Sequence, residues 1–220
     1  MRRSIILLVV ITVLLSFSFG QESEFNMPQK GNKAMLFEFS GLGFLGALEY
    51  KGGLGYKMFL SDNMGLRTAL LLNYNRDNIP FDGEGGEDGY DQTFGIGAEI
   101  ALEFHKNFGK VSPYTGIGGQ FFRTSTEIAN PVPSGVEQPT LKNQIGSDAG
   151  MLMGGYFIMG MEYFLNKNIS LAGEYRIGVE YVSALTEEYD SGTTTIETEG
   201  GSSLRAGIVS SGLFTLAIYR

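Results

Sequence analysis

The 220-residue chain has no cysteine, no tryptophan and a single histidine, His105. Without cysteine there is no disulfide framework, no thiol nucleophile, no cysteine-ligated metal and no lipid-anchored N-terminal cysteine. With one histidine, a multi-histidine metal site within one chain is excluded. Charged residues make up only 18% against 43% apolar, which excludes a disordered chain. The charge is of the wrong sign for nucleic acid, at −8 overall. What the chain has in quantity is glycine (32), phenylalanine (16) and tyrosine (11). Glycine is a poor helix former and aromatic residues favour strands, so the composition points to a β protein.

The first twenty residues have the layout of a secretory signal peptide. Met1-Arg2-Arg3-Ser4 is basic, Ile5 to Leu15 is apolar apart from Thr12, and Ser16 to Gly20 supplies small residues before a cleavage point at Gln21. The apolar core is too short for a membrane-spanning helix. Removing it takes two arginines and no acids, so the exported chain is more acidic still. Residues 21–32 are expected to form a short N-terminal segment and residues 33–220 one domain.

Past Gln21 the signal is alternation with period two, the mark of half-buried strands. Phe94, Ile96, Ala98, Ile100, Leu102 and Phe104 alternate with Gly95, Gly97, Glu99, Ala101, Glu103 and His105. Ile169 to Tyr181 alternates with Ser170, Ala172, Glu174, Arg176, Gly178 and Glu180 in the same way. Comparable segments run over Leu54–Leu60, Leu66–Tyr74, Met151–Tyr163 and Leu204–Ile218, with Ala34–Ser40 and Tyr114–Thr124 less clean in phase. That makes eight strands. The connections Ser61–Asn63, Lys106–Lys110 and Asn166–Asn168 are short, and the one near Gly41–Ala47 is also short. Asp77–Asp91, Ser125–Ser147 and Leu185–Gly201 are long and polar. If the strands run up and down, every long loop falls at one end, the asymmetry of a transmembrane β-barrel.

On these residues the chain resembles the small eight-stranded outer-membrane barrels of the OmpA transmembrane-domain, OmpX and opacity-protein kind. The stretches Val111-Ser112-Pro113-Tyr114-Thr115-Gly116-Ile117-Gly118 and Tyr163-Phe164-Leu165-Asn166-Lys167-Asn168-Ile169-Ser170-Leu171 carry the likeness with the signal peptide and the alternation. The resemblance implies an all-β, antiparallel, up-and-down transmembrane barrel. It implies residence in the outer membrane in contact with its lipid, both termini in the periplasm, a monomer, and no cofactor. It also implies a terminal aromatic, whereas here Tyr219 is followed by Arg220. The function expected is non-enzymatic: membrane integrity, or surface adhesion and recognition through acidic external loops. Two alternatives stay open, a lipid A-modifying barrel enzyme and a soluble lipocalin-like carrier with the apolar face turned inward.

On the membrane phasing, lipid meets the even residues of 94–104 and 204–218 and the odd residues of 151–165 and 169–181. The interior then holds Glu38, Lys57, Arg67, Glu99, Glu103, Glu162, Glu174, Arg176, Glu180 and Arg205. An eight-stranded barrel is filled by side chains, so these charges are expected to pair structurally, since an unpaired buried charge costs several kcal/mol. The external loops gather Asp82, Glu84, Glu87, Asp88 and Asp91, and Glu187, Glu188 and Asp190, a candidate site for a divalent cation or a cationic surface ligand. No metal can be named from their spacing. The short turns carry Lys106, Lys110 and Lys167 instead. Gly41-Leu42-Gly43-Phe44-Leu45-Gly46 matches a dinucleotide fingerprint, but strand and turn follow it where a helix is required. Asn168-Ile169-Ser170 matches a glycosylation acceptor by chance, on this reading. The lone His105 stands beside a short turn with no serine adjoining it in that segment, which argues against a His/Ser lipid-modifying centre.

Overall fold

The computed structural model describes residues 28–40, 50–145, 147 and 149–220. The signal-peptide segment and Gly41–Gly46 lie outside the described residues. Among the described residues, thirteen strands follow in chain order: β1 (Lys33–Ser40), β2 (Tyr50–Ser61), β3 (Met64–Ile79), β4 (Gly86–Glu87), β5 (Gly89–His105), β6 (Val111–Ala129) and β7 (Val132–Pro133). β8 (Thr140–Lys142), β9 (Gly150–Asn166), β10 (Ile169–Ala184), β11 (Glu187–Asp190), β12 (Thr195–Thr198) and β13 (Ser202–Tyr219) complete the set.

The eight long strands close a ring in the order β1–β2–β3–β5–β6–β9–β10–β13 and back to β1, every pair antiparallel. Closure removes the free edges that an open sheet would expose. The turns at 62–63, 106–110 and 167–168 lie at one end, with Lys33 hydrogen-bonded to Arg220 there. The long connections 80–88, 130–149 and 185–201 lie at the other.

Side-chain direction follows the period of two. On β5 the odd residues from Gly95 to His105 are buried, while Phe94, Ile96, Ile100 and Phe104 are exposed. Both phases left open by the sequence are fixed. On β1, Ala34, Leu36 and Glu38 point inward and Met35 outward; on β6, Ser112, Tyr114 and Gly116 point inward, and Ile117 and Phe121 outward. Strand after strand contributes to an outward apolar belt, among them Leu54, Leu70, Tyr74, Met153, Phe157, Met159, Tyr163, Tyr175, Ile177, Val179 and Phe214. From Phe94 to Phe104 that belt covers about 33 Å along the strand, hence about 25 Å in height at a tilt of about 40°.

The phase survives an irregularity in β13. Register shifts between Glu174 and Arg176, and between Arg176 and Ile177, leave two extra residues on the β13 side. Because two is the side-chain period, Ile208 and Phe214 both stay on the outer face. Gly207 (φ 148°) and Gly212 (φ 115°) flank the extra residues in backbone conformations that L side chains rarely adopt.

The strands outrun the sequence expectation at the loop end. β3 continues to Ile79, β6 to Ala129 and β10 to Ala184, and the loops contain strands of their own. β8 pairs with the top of β6, β11 with β8, and β12 with β11. The wall is thus carried above the belt as a short sheet ending at β12.

Candidate functional site: the charged interior and the external sheet

Eight of the expected interior side chains meet in one buried cluster: Glu38, Lys57, Arg67, Glu99, Glu103, Glu162, Glu174 and Arg176. Each sits on the inward parity of its strand, so the alternation places them and ring closure brings them together. Arg67 Nη1 bonds Glu103 Oε1 at 2.9 Å and Glu174 Oε2 at 2.8 Å, and its Nε lies 3.3 Å from Glu99 Oε1. Arg176 joins Glu99 (2.6 Å) to Glu174 (2.7 Å). Lys57 Nζ joins Glu103 (2.8 Å) to Glu162 (2.9 Å). Four phenol or hydroxyl donors complete the carboxylates: Tyr114 to Glu174, Tyr156 to Glu99, and Tyr219 with Ser170 to Glu162. Gly160 makes room for one of them, since a Cβ there would lie 2.4 Å from the Tyr114 ring.

Glu38 differs from the rest. Among the described residues neither of its oxygens has a hydrogen-bond partner, and its ion pair with Arg67 Nε is long, at 3.7 Å. Beside the network a cavity of about 10 Å³ is lined by Lys57, Arg67, Glu103, Glu162 and Thr215, among others. That is room for one water and for no organic ligand.

Two expected members stand elsewhere. Arg205 is exposed, within a stretch of β13, residues 202–208, in which both parities are exposed. Glu180, opposite it in register, is only partly buried and accepts from Gln120 Nε2 at 2.8 Å.

The environment of His105 also departs from expectation. Ser112, across the turn, brings its Oγ to 2.9 Å from His105 Nδ1, while Nε2 lies 3.1 Å from Glu103 Oε2. Linear sequence hid this pairing because the two residues are seven apart, on opposite arms of the turn. The order Ser–His–Glu is that of a hydrolytic triad, yet the Ser112 hydroxyl is committed to Asn107 Oδ1 at 2.7 Å and is wholly buried. An acyl carbon has no approach to it.

The acidic loop residues do not assemble a cation cage. Among the described residues no three His, Cys, Asp or Glu converge as a metal-holding group. Asp88 instead accepts from the Phe81 amide at 2.9 Å, and Glu87 lies in β4, paired with β7. Glu84 and Asp82 are exposed, and Asp91 lies within β5 opposite Asp77. Glu187, Glu188 and Asp190 form β11. Glu188 Oε1 binds Lys142 Nζ at 2.9 Å, and that hydrogen bond with the Glu188 charge holds the ammonium above the ordinary lysine range. Below it, Tyr90 donates to Glu127, which pushes its phenol up.

The fold and its contents define a closed eight-stranded β-barrel with a polar, salt-bridged interior and an apolar exterior. No protein-family model and no curated protein matches the sequence. Among solved structures, the chain is similar to the N-terminal β-barrel domain of OprF from Pseudomonas aeruginosa, at 11% identity over 88% of this chain and 100% of that one, with a TM-score of 0.36. It is likewise similar to Ail, the attachment invasion locus protein of Yersinia pestis (12% identity, 87% and 99% covered, TM-score 0.36). CarO of Acinetobacter baumannii gives 11% identity, 88% and 98% covered, and a TM-score of 0.30. The barrel assignment rests on the ring of strands itself.

Proposed function

We propose that this protein is an exported, non-catalytic barrel of the outer membrane whose work is done at the end carrying the long connections. The observation that carries the reading is the direction of the side chains: charges inward and mutually paired, large apolar residues outward in an encircling belt. A soluble protein rarely exposes an apolar patch above a few hundred Å². The belt's height of about 25 Å suits a bilayer core. The carrier alternative needs an apolar lumen, and this lumen is charged and filled. The enzyme alternative needs an open His/Ser centre, and Ser112 is sealed. What remains is a rigid pedestal that lifts the 80–88, 130–149 and 185–201 segments off the membrane, where they act in surface adhesion or recognition.

The test is surface proteolysis of intact cells combined with an unboiled-versus-boiled gel of the membrane fraction. Cleavage within 80–88 or 185–201 and a mobility shift on boiling are expected. A soluble protein with no shift would overturn the membrane reading. Cells carrying His105→Ala are expected to keep an unchanged lipid A profile.

A further inference from the structure

The sheet above the belt has two chemically distinct faces, fixed by register. One row runs Glu127–Lys142–Glu188–Glu197 across β6, β8, β11 and β12. The next runs Ile128–Leu141–Tyr189–Ile196 on the opposite face. Along the apolar row exposure rises outward, with Ile128 and Leu141 half-buried, Tyr189 at 41% and Ile196 at 56%. Along the charged row Lys142 is bound by Glu188, which leaves Glu197 facing a second glutamate directly across the ladder. Like charges in that position repel. The outer edge of β12 pairs with no strand among the described residues, and all four of its residues are exposed.

We propose that the free edge of β12 is a docking site for an extended polypeptide segment of another protein, one that alternates basic and apolar residues and adds as a further strand of the sheet. The proposal rests on the outward orientation of this end. Three features select that occupant. The open edge supplies main-chain hydrogen bonds to any extended chain. A lysine or arginine in register with Glu197 relieves the Glu188–Glu197 repulsion, and β11 and β12 with their flanks carry Glu187, Glu188, Asp190, Glu197 and Glu199 without a base. An apolar residue next in line continues the row Ile128–Leu141–Tyr189–Ile196 and covers its most exposed member. Beside the charged row a cleft of about 330 Å³, lined by Arg123, Asn143, Leu185, Thr186, Glu188 and Glu197, has room for a long side chain, with carboxylates outnumbering the arginine two to one. A second copy of this chain is the wrong partner, since β12 carries no base and edge-to-edge pairing would leave Glu197 without a counter-charge. Edge charges guard against such self-association.

The test uses the full barrel in detergent, after its heat-dependent mobility shift has shown it folded, and an acetylated, dye-labelled seven-residue peptide alternating lysine and valine. Fluorescence anisotropy is expected to show saturable binding, at least tenfold tighter than for a peptide alternating glutamate and valine. Glu197→Lys is expected to reverse that preference, and Ile196→Pro to abolish binding of both while leaving the mobility shift intact. Equal binding of the two peptides, or no response to Glu197→Lys, overturns the proposal while the barrel reading stands. So does a sedimentation result showing dimers that Ile196→Pro dissolves, which would assign the edge to a second copy. Loss of the mobility shift in the unmodified protein would instead count against the barrel reading itself.

Discussion

Arg67 holds the interior together because of what surrounds it: hydrogen bonds or short ion pairs to Glu99, Glu103 and Glu174, all on other strands. Among the described residues, five buried carboxyl groups face three fixed cations in this space. Removing a cation therefore costs far more than removing the carboxyl that is least well served. Truncating one partner of a buried ion pair typically costs about 3–5 kcal/mol, because the other charges are left uncompensated. Arg67→Ala is expected to lose at least that much, read as a lower urea midpoint for loss of the heat-dependent mobility shift. Glu38→Gln goes the other way: with both oxygens unpartnered and Arg67 Nε at 3.7 Å, it is expected to leave the midpoint unchanged or raise it. If Glu38→Gln were as damaging as Arg67→Ala, the network would not have the charge imbalance described here. The sequence already placed these residues on inward parity, since Glu99, Glu103, Glu174 and Arg176 alternate with bulky apolar neighbours. It could not say which acid meets which base, because apart from Arg176 and Glu174 the partners lie on different strands, from about 30 to about 110 residues apart, and barrel curvature, stagger and closure bring them together.

Among the elements, the eight long strands were legible and the short ones were not, and periodicity explains both. β5 offers six apolar–polar alternations in a row, whereas Glu187-Glu188-Tyr189-Asp190 offers one apolar residue among acids and reads as a loop. Such a segment becomes a strand only when β8 is beside it, a contact no local pattern encodes. The two extra residues of β13 were equally hidden, since an even insertion leaves the parity of Ile208 and Phe214 unchanged. Their backbone signature is Gly212 at φ 115°. Gly212→Val forces a β-branched side chain into that region and is expected to cost about 1–3 kcal/mol. The same urea midpoint measures it. A neutral result would mean that the β10–β13 ladder can re-register without the irregularity.

At the scale of the whole molecule, the protein inverts the usual arrangement, and a single substitution distinguishes a lipid-facing belt from an oddly apolar soluble surface. Ile100 sits near the middle of the belt, 55% exposed, with Glu99 and Ala101 turned inward on either side. In water, Ile100→Lys would be an ordinary surface change worth within about 0.5 kcal/mol of zero. At the midplane of a bilayer, lysine on the lipid face of a barrel costs about 2–4 kcal/mol, falling towards zero near the interfaces. Ile196→Lys, on the external sheet at nearly the same exposure, supplies the control at the opposite limit of depth. Unfolding in lipid vesicles should therefore show a loss of about 2–4 kcal/mol for Ile100→Lys and none within error for Ile196→Lys. Phe94 and Phe104, at the two margins of the belt, should give intermediate values when changed to lysine. A flat profile across the four positions would remove the membrane from the account, whereas a peak at Ile100 would locate the bilayer centre on β5.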